Sequence, residues 1–583
     1  MFVMDMVNVI INGTSYSVPK GSTILEACKS VGIEIPTLCY LKEINEIGAC
    51  RICVVEVKGA RSLVAACVYP VNEGMEIKTS SPQVLKSRKM TLELLLSNHN
   101  RTCLSCIKSG KCEFQKLCHD YGVEDEGRFD GVKTPSEIDD SAPHMIRDNS
   151  KCVLCRRCVA VCEKNQSVNV IGANNRGFNT HIGCAYDQDL GDVSCVSCGQ
   201  CITVCPTGAL YEKDDTQKVF DAIADESKYV VVQTAPAIRA TLGECFDMPM
   251  GTNVKGKMAA ALRRLGFDKV FDTDVGADLT ILEEAHEFLD RVQNGGKLPL
   301  ITSCSPGWIK FCEHKYPDML DNLSSCKSPQ QMFGGVIKTW YAERNGLDPK
   351  DIFVVSIMPC TAMIFEITRD DQSAAGVPDL DAALTTRELA RMITRAGINF
   401  TELPDENFDS PLDETTGAAA IFGATGGVME AALRTAVETL TGEELKSLDF
   451  EEVRGTKGIK EATYNVAGMD VNVAVASGLS NAKILLDKVK SGEANYHFIE
   501  IMACPGGCVN GGGQPTTPAS VRNFTDVKAI RAKALYEEDK NLPLRKSHES
   551  PVIKKLYEDY FGEPGSHKAH EILHTSYVAR KKY

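Results

Sequence analysis

The first chemistry this chain offers lies in its 25 cysteines, of which 18 precede residue 206 of 583. Two runs repeat one pattern: Cys152-x2-Cys155-x2-Cys158-x3-Cys162 and Cys195-x2-Cys198-x2-Cys201-x3-Cys205-Pro206. In such a repeat each loop grips three corners of an iron–sulfur cube, and the fourth cysteine crosses over to the other cube. Cys152, Cys155, Cys158 and Cys205 are therefore expected to hold one 4Fe-4S cluster, and Cys195, Cys198, Cys201 and Cys162 a second. Upstream, Cys39, Cys50, Cys53 and Cys67 are spaced C-x10-C-x2-C-x13-C. Small Gly48 and Ala49 before the close pair let the backbone fold around a cluster edge, although four cysteines also suit zinc. His99, Cys103, Cys106 and Cys112, spaced H-x3-C-x2-C-x5-C, fit zinc and 4Fe-4S equally well on donor chemistry alone. Cys28, Cys118 and Cys184 read as structural.

Seven cysteines remain in the rest of the chain, and four of them lie in small-residue, proline-containing turns. The first such turn is Thr302-Ser303-Cys304-Ser305-Pro306-Gly307-Trp308, and the second is Met358-Pro359-Cys360-Thr361-Ala362-Met363-Ile364-Phe365-Glu366. The third runs from Glu500 through Met502, Ala503, Cys504, Pro505, Gly506, Gly507 and Cys508 to Gly511-Gly512-Gly513-Gln514-Pro515. Five glycines there let the backbone approach a bulky inorganic group and turn its amides toward anionic sulfurs. Taken singly, each cysteine reads equally as a buried side chain in a turn. Glu284, Glu287 and Arg291 share one helix face, a spacing that ordinarily marks a solvated surface.

These side chains need several domains to position them. Strands over residues 7–11 and 15–18 flank the turn Asn12-Gly13, and Ser22 is placed to cap a helix over 23–31. A helical run covers 84–97, ahead of the His99 set. From about residue 216 short apolar strands (230–233, 268–271, 299–302, 353–357, 419–421) alternate with amphipathic helices such as 257–265 and 279–294. That alternation predicts an α/β domain with mainly parallel sheets and ligands off the strand C-termini. The expected division is 1–80 for the first cysteine module, 81–125 for the His/Cys module, 126–215 for the two-cluster module and 216–583 for the large α/β domain. A hydrophobic content of 43% and a charged content of 24% are those of a water-soluble globular protein. Residues 1–12 lack an export signal, no apolar run is long enough for a membrane span, and the cysteine usage favours metal over disulfides in a reducing cytoplasm. A net charge of -14 excludes a nucleic-acid backbone as partner.

The first module resembles the 2Fe-2S module of plant-type ferredoxins, with a longer first gap, which implies a β-grasp fold. Followed by the His99 set, it resembles the N-terminal part of the large iron–sulfur subunit of complex I and of iron-only hydrogenases, where that set carries a 4Fe-4S cluster. The resemblance thus implies one 2Fe-2S and three accessory 4Fe-4S clusters. The three C-terminal turns, in their order, resemble the three motifs of iron-only (FeFe) hydrogenases. This likeness covers nearly the whole chain, including the segment from Phe422 to Glu430 and Arg545-Lys546-Ser547-His548-Glu549. It implies an H-cluster: a 4Fe-4S cube bridged through a cysteine to a diiron unit with CO, cyanide and an azadithiolate. Cys360, Cys504 and Cys508 would be ligands, Cys508 the bridging one, with Met358 and Met502 lining the diiron pocket. Glu284, Glu287, Arg291 and Ser324 match the family's proton-path positions, with Cys304 as the relay nearest the metal.

Two positions depart from the family. The first motif normally carries two adjacent cysteines, a relay and then a cube ligand, and this chain has Cys304-Ser305. Gap-free matching puts Ser305 at the ligand position, whereas donor strength favours a shifted Cys304 as ligand with Ser305 as relay. Met363 stands where the family usually has a lysine that hydrogen-bonds a cyanide, and methionine donates nothing. The leading expectation is an FeFe hydrogenase interconverting 2 H⁺ + 2 e⁻ and H2. No dinucleotide fingerprint is present, so electrons come from ferredoxin or from flavin/NAD(P)-binding partner subunits, and hydrogenase maturases supply the cofactor. The alternatives are a slow hydrogen sensor keeping the same cluster pocket and a complex I-type electron-transfer subunit.

Overall fold

The structure is a computed structural model that describes residues 5–124, 128–129, 131–445, 447–466 and 468–581. Residues 1–4 and the expected boundary at 125/126 lie outside the described residues. The chain opens on a five-stranded sheet, in which Met6–Ile11 pairs antiparallel with Thr14–Pro19 and parallel with Met75–Lys78. Asn12 and Gly13 turn the first hairpin with φ of 49° and 88°, the left-handed geometry that Asn-Gly tolerates. The helix Ile24–Ser30 packs Ile24, Leu25 and Cys28 onto this sheet.

Its cap is one residue later than expected. Thr23, not Ser22, accepts from the Glu26 backbone N–H, and Glu26 reaches back to the Thr23 N–H. Only Thr23 has a glutamate three residues on, so only it can close the reciprocal pair. The Ser22 hydroxyl instead donates to the Pro19 carbonyl at 2.8 Å.

The helix Pro82–Asn98 delivers the chain to the His99 segment, and its buried Arg88 donates to the Val54 carbonyl at 2.8 Å. Beyond it, Arg157–Lys164 and Gln200–Val204 are the paired short helices of the cysteine repeat, each entered through a left-handed residue, Arg156 or Gly199. These loops must turn back around a centre, and that is what the positive φ accomplishes.

The large domain holds two four-stranded sheets. In one, Tyr229–Thr234 lies between Lys269–Asp272 and Ile352–Met358, with Ala382–Thr385 outside, all parallel. In the other, Leu300–Ile301, Phe498–Met502 and Met469–Ser477 run parallel, and Ile459–Val466 joins the last as an antiparallel hairpin. The sheets are thus largely parallel, as expected. Residues 419–421 are not a strand: helix Gly417–Ala420 runs directly into a 3₁₀ turn over Ile421–Gly423. This segment is buried on every side, so no period separates helix from strand; its alanines and the Thr416 cap, which accepts from Ala419 N–H, decide for helix. The helix Asp274–Asn294 begins five residues before the expected 279. Last, the segments Val527–Asn541, Pro551–Leu556 and His567–Leu573 wrap the large domain, burying Leu535, Ile553, Leu556 and Leu573 completely.

Candidate active site and its electron route

All 25 cysteines are free of disulfides. In the first module, Cys53 and Cys67 sulfurs stand 3.3 Å apart, and Cys39 and Cys50 share a hydrogen bond. The buried Asn45 amide donates to both the Cys39 carbonyl (2.8 Å) and the Cys155 carbonyl (3.0 Å), joining this module to the repeat. His99 is buried, lies edge-on to Phe114 at 5.2 Å, and has no hydrogen-bond partner on Nδ1. Burial brings its pKa down to about 4, so the ring is neutral, the form that binds a metal. Its module seats against the end of the repeat: the Glu113 N–H donates to the Pro206 carbonyl at 3.1 Å, and a Cβ on Gly208 would lie 2.6 Å from the Cys106 sulfur.

Within the repeat, one cavity is lined by Cys152, Cys155, Cys158 and Cys205, and another by Cys162, Cys195, Cys198 and Cys201. Burial pushes the thiols of Cys152, Cys155, Cys158, Cys162, Cys195, Cys198 and Cys201 upward, most strongly for Cys158, Cys198 and Cys201. Bare thiolates are disfavoured there, and a cationic iron core supplies the missing charge. Lys310 sits beside the second cavity, its ammonium 3.2 Å from the Ser197 hydroxyl and 3.8 Å over the Phe365 ring.

That cavity abuts the second and third turns. Thr361 donates to the Ser197 carbonyl at 2.7 Å, and Gln200 donates to the Asn510 carbonyl at 2.8 Å. A Cβ on Gly512 would lie 2.1 Å from the Cys198 carbonyl oxygen, so only glycine permits this approach. Cys360 follows strand Ile352–Met358, while Cys504 and Cys508 follow Phe498–Met502. They come from different sheets yet converge: the charged neighbours of Cys504 are Cys360 and Cys508. Met358 and Met502 are 2% and 3% exposed, each in a separate apolar core, and the two cores meet at these cysteines. The Thr425 hydroxyl is buried without a partner, and its segment packs on the Cys508 loop, since a Cβ on Gly507 would lie 2.6 Å from Thr425 N. Convergent thiols where two apolar cores meet, with an unspent hydroxyl beside them, fit a cluster carrying anionic ligands.

Cys304 and Ser305 point to different neighbours. The titratable groups around the Cys304 thiol are Glu284, Glu500 and Cys508, and burial pushes its pKa well up. The Ser305 hydroxyl instead accepts from the Ala503 N–H at 3.2 Å, next to Cys504. Behind Cys304, the Ser303 N–H approaches Glu284 Oε1 at 3.4 Å, while Glu284 Oε2 is buried without a partner. Burial and the charge of Glu287 push Glu284 up to about 8. The Ser324 hydroxyl donates to Glu287 Oε2 at 3.2 Å, and Arg291 pairs with Glu287 Oε1. These three residues therefore form no solvated stripe: Glu284 is fully buried, and Glu287 and Arg291 are largely so.

Residues 228–512 match the family described as iron only hydrogenase large subunit, C-terminal domain, and residues 525–580 the iron hydrogenase small subunit. Residues 4–82 match a 2Fe-2S iron-sulfur cluster binding domain, 88–126 an NADH-ubiquinone oxidoreductase-G iron-sulfur binding region, and 151–209 a 4Fe-4S dicluster domain. The chain is 50% identical to NADP-reducing hydrogenase subunit HndD of Solidesulfovibrio fructosivorans, over 99% of this chain and 100% of that one. The chain belongs to the iron-only hydrogenases. Iron hydrogenase 1 of Clostridium pasteurianum is 44% identical over 98% of this chain and 100% of its own length. Apo FeFe-hydrogenase HydA1 of Chlamydomonas reinhardtii superposes with a TM-score of 0.57 at 43% identity, covering 63% of this chain and 100% of that one. This FeFe hydrogenase is thus an oxidoreductase acting on H2, with an H-cluster domain and accessory iron–sulfur domains. Among the described residues, no helix is long and apolar enough to cross a membrane.

Asn45, Thr361, Gln200 and Lys310 escaped the sequence reading. Each works through a contact more than 100 residues away in the chain, and none stands in a spacing pattern.

Proposed function

We propose that this chain catalyses 2 H⁺ + 2 e⁻ ⇌ H2 at an H-cluster held by Cys360, Cys504 and Cys508, with Cys508 bridging to a diiron unit that carries CO, cyanide and azadithiolate. When bound, that unit supplies the metal chemistry of H2. The chain's own residues exclude water, hold the cluster and move protons. Met358 and Met502 keep the pocket apolar. Cys304 passes protons between the pocket and Glu284; Ser324 and Glu287 continue the path, with Arg291 holding Glu287 in place. The observation that carries this reading is the convergence of the three cysteines from two sheets onto one apolar pocket, with Glu284 behind it.

For the contested pair, the neighbours of each side chain support Cys304 as relay and Ser305 as the residue facing the cube. This reverses the ordering that donor strength alone favours. Electrons arrive over one 2Fe-2S cluster (Cys39, Cys50, Cys53, Cys67) and three 4Fe-4S clusters, the first of them held by His99, Cys103, Cys106 and Cys112. The Asn45 and Pro206 contacts support two inlets joining at the cluster of Cys152, Cys155, Cys158 and Cys205. The cluster of Cys162, Cys195, Cys198 and Cys201 follows. The functional units run over 1–80, 81–125, 126–215 and 216–583.

The name of the HndD relative supports flavin- and NAD(P)-binding subunits as electron partners in place of free ferredoxin. Maturases install the diiron unit, and the reaction belongs to the cytoplasm. Infrared bands of bound CO and cyanide on chain made with hydrogenase maturases test the reading; their absence would sink it. Cys508→Ala is expected to lose those bands while keeping the accessory iron–sulfur signals.

A further inference from the structure

A proton path that ends on Arg291 has no donor at its outer end. A guanidinium does not release its proton in a protein. Arg291 is moreover committed to acceptors: it donates to the carbonyls of Lys297 and Asp321, both at 3.1 Å, to that of Leu323 at 2.8 Å, and to Glu287. It orients Glu287; it does not feed it.

Another group touches the same carboxylate. Glu287 Oε2 accepts from the Ser325 hydroxyl at 3.2 Å as well as from the Ser325 N–H at 3.0 Å. The Ser325 hydroxyl lies 2.8 Å from Nδ1 of His574, brought there by the C-terminal segment beyond His567–Leu573. The opposite ring nitrogen, Nε2, lies 3.0 Å from Glu283 Oε2, which also accepts from the Gly565 N–H at 2.9 Å, while Tyr557 donates to Glu283 Oε1. His574 is 7% exposed, and its ring centre lies 4.1 Å from that of exposed His570, the two rings tilted by 36°.

We infer that His574 and Ser325 form the branch through which protons pass between solvent and Glu287. The inference rests on the proposed proton path from Glu287 through Ser324 and Glu284 to Cys304. In each transfer the imidazolium gives its Nδ1 proton to the Ser325 oxygen as the Ser325 hydroxyl proton passes to Glu287 Oε2. The neutral ring keeps its Nε2–H on Glu283 and regains its Nδ1 proton from water once the Ser325 hydroxyl rotates off Nδ1, so one proton enters and one leaves. Histidine is the side chain that changes charge near neutral pH. Although burial opposes it, hydrogen bonds from His574 and Tyr557 bring Glu283 below the usual carboxylate range, so a carboxylate faces Nε2. The groups facing this ring are Glu283, Glu287 and His286 on helix Asp274–Asn294, Ser325 and Cys326 on the segment beside it, His570 on its own segment, and Tyr557 behind Glu283.

His574→Gln and Ser325→Ala in the full cluster-loaded chain break the branch at two points. Two rates are read: H2 evolution from reduced viologen across pH, and the shift of the protonated Glu284 carboxyl infrared band after mixing with D2O, which needs no turnover. Both variants are expected to slow both rates by about 10²-fold, with the H-cluster infrared bands and thermal midpoint kept. Exchange and turnover at the parent rates in either variant would overturn the branch. If His574→Gln fails to fold, Ser325→Ala decides alone. A parent chain that makes no H2 yet exchanges the Glu284 proton quickly, with both variants slow, refutes the hydrogenase reading and keeps the branch.

Discussion

On the proposed reading, Ser305 places a hydroxyl where a thiol would complete four sulfur donors around the cube, and Met363 a thioether where a cation would meet a cyanide. Both changes are confined to side chains: Ser305 still opens the helix Pro306–Lys315, and Met363 still lies buried in the helix Ala362–Glu366. Serine is a harder and less acidic donor than cysteine, so on that reading the cube would be held mainly by its three thiolates. Ser305→Cys is therefore expected to slow iron loss to a chelator several-fold without changing the fold, measured as iron retained per chain. An unchanged rate would mean that Ser305 does not face the cube. Cys304→Ala is expected to lower H2 evolution by about 10²-fold or more, the range of a lost proton relay, with the CO and cyanide bands kept; loss of those bands would make Cys304 a ligand. Because Glu284 holds its proton up to about pH 8, H2 evolution should decline as pH rises through that value.

At the scale of elements, function depends on closeness between segments far apart in sequence. The turn at Gly511-Gly512-Gly513 is the clearest case, since it presses against the loop of Cys198 and Gly199. A methyl at residue 512 would also lie 2.6 Å from Gly199 Cα. Such overpacking costs about 1–3 kcal/mol, and relief here means separating the Cys198 loop from the Cys508 turn, the proposed crossing from the accessory clusters to the catalytic one. Gly512→Ala is expected to leave the accessory clusters reducible while slowing H2 evolution from electrons that enter through them. Stopped-flow bleaching of the accessory clusters set against H2 output checks this; coupled kinetics at the parent rate would show that the contact is not the conduit.

For the whole molecule, the large domain contains carboxyls that burial keeps protonated. Asp278 is pushed up to about 7 and Glu388 to about 8, in each case chiefly by burial. The folded state then holds protons that the unfolded chain releases near 3.8 for Asp and 4.5 for Glu. Where the native state binds more protons, stability falls as pH rises, so it declines from about pH 4 to about pH 8 and levels off beyond. The thermal midpoint of the large domain should drop over that window. Glu388→Gln, which keeps an acceptor for the Thr385 N–H, should flatten the drop; an unaltered profile would remove Glu388 as its source.

The iron–sulfur donor spacings, the mainly parallel large domain and the family were legible in the sequence, because ligand spacing and strand–helix alternation are local properties. The helix at Gly417–Ala420 was not, since a segment buried on all faces has no amphipathic period. Nor was the environment of the path: Glu284, Glu287 and Arg291 have the spacing of an ordinary solvated face, and only the packing of Ser303, Ser324 and Ser325 around them takes the two glutamates out of bulk water. What the sequence determined by itself is which donors are present and at what spacing, and in the cysteine repeat that spacing alone selects 4Fe-4S clusters. Tertiary structure decided the neighbours of Cys304 and Ser305, the contact of Cys198 with Gly512, and the meeting of His574 with Glu287 through Ser325. Those contacts join residues up to 314 positions apart, as from Cys198 to Gly512, and only the folded chain brings them within a few ångströms.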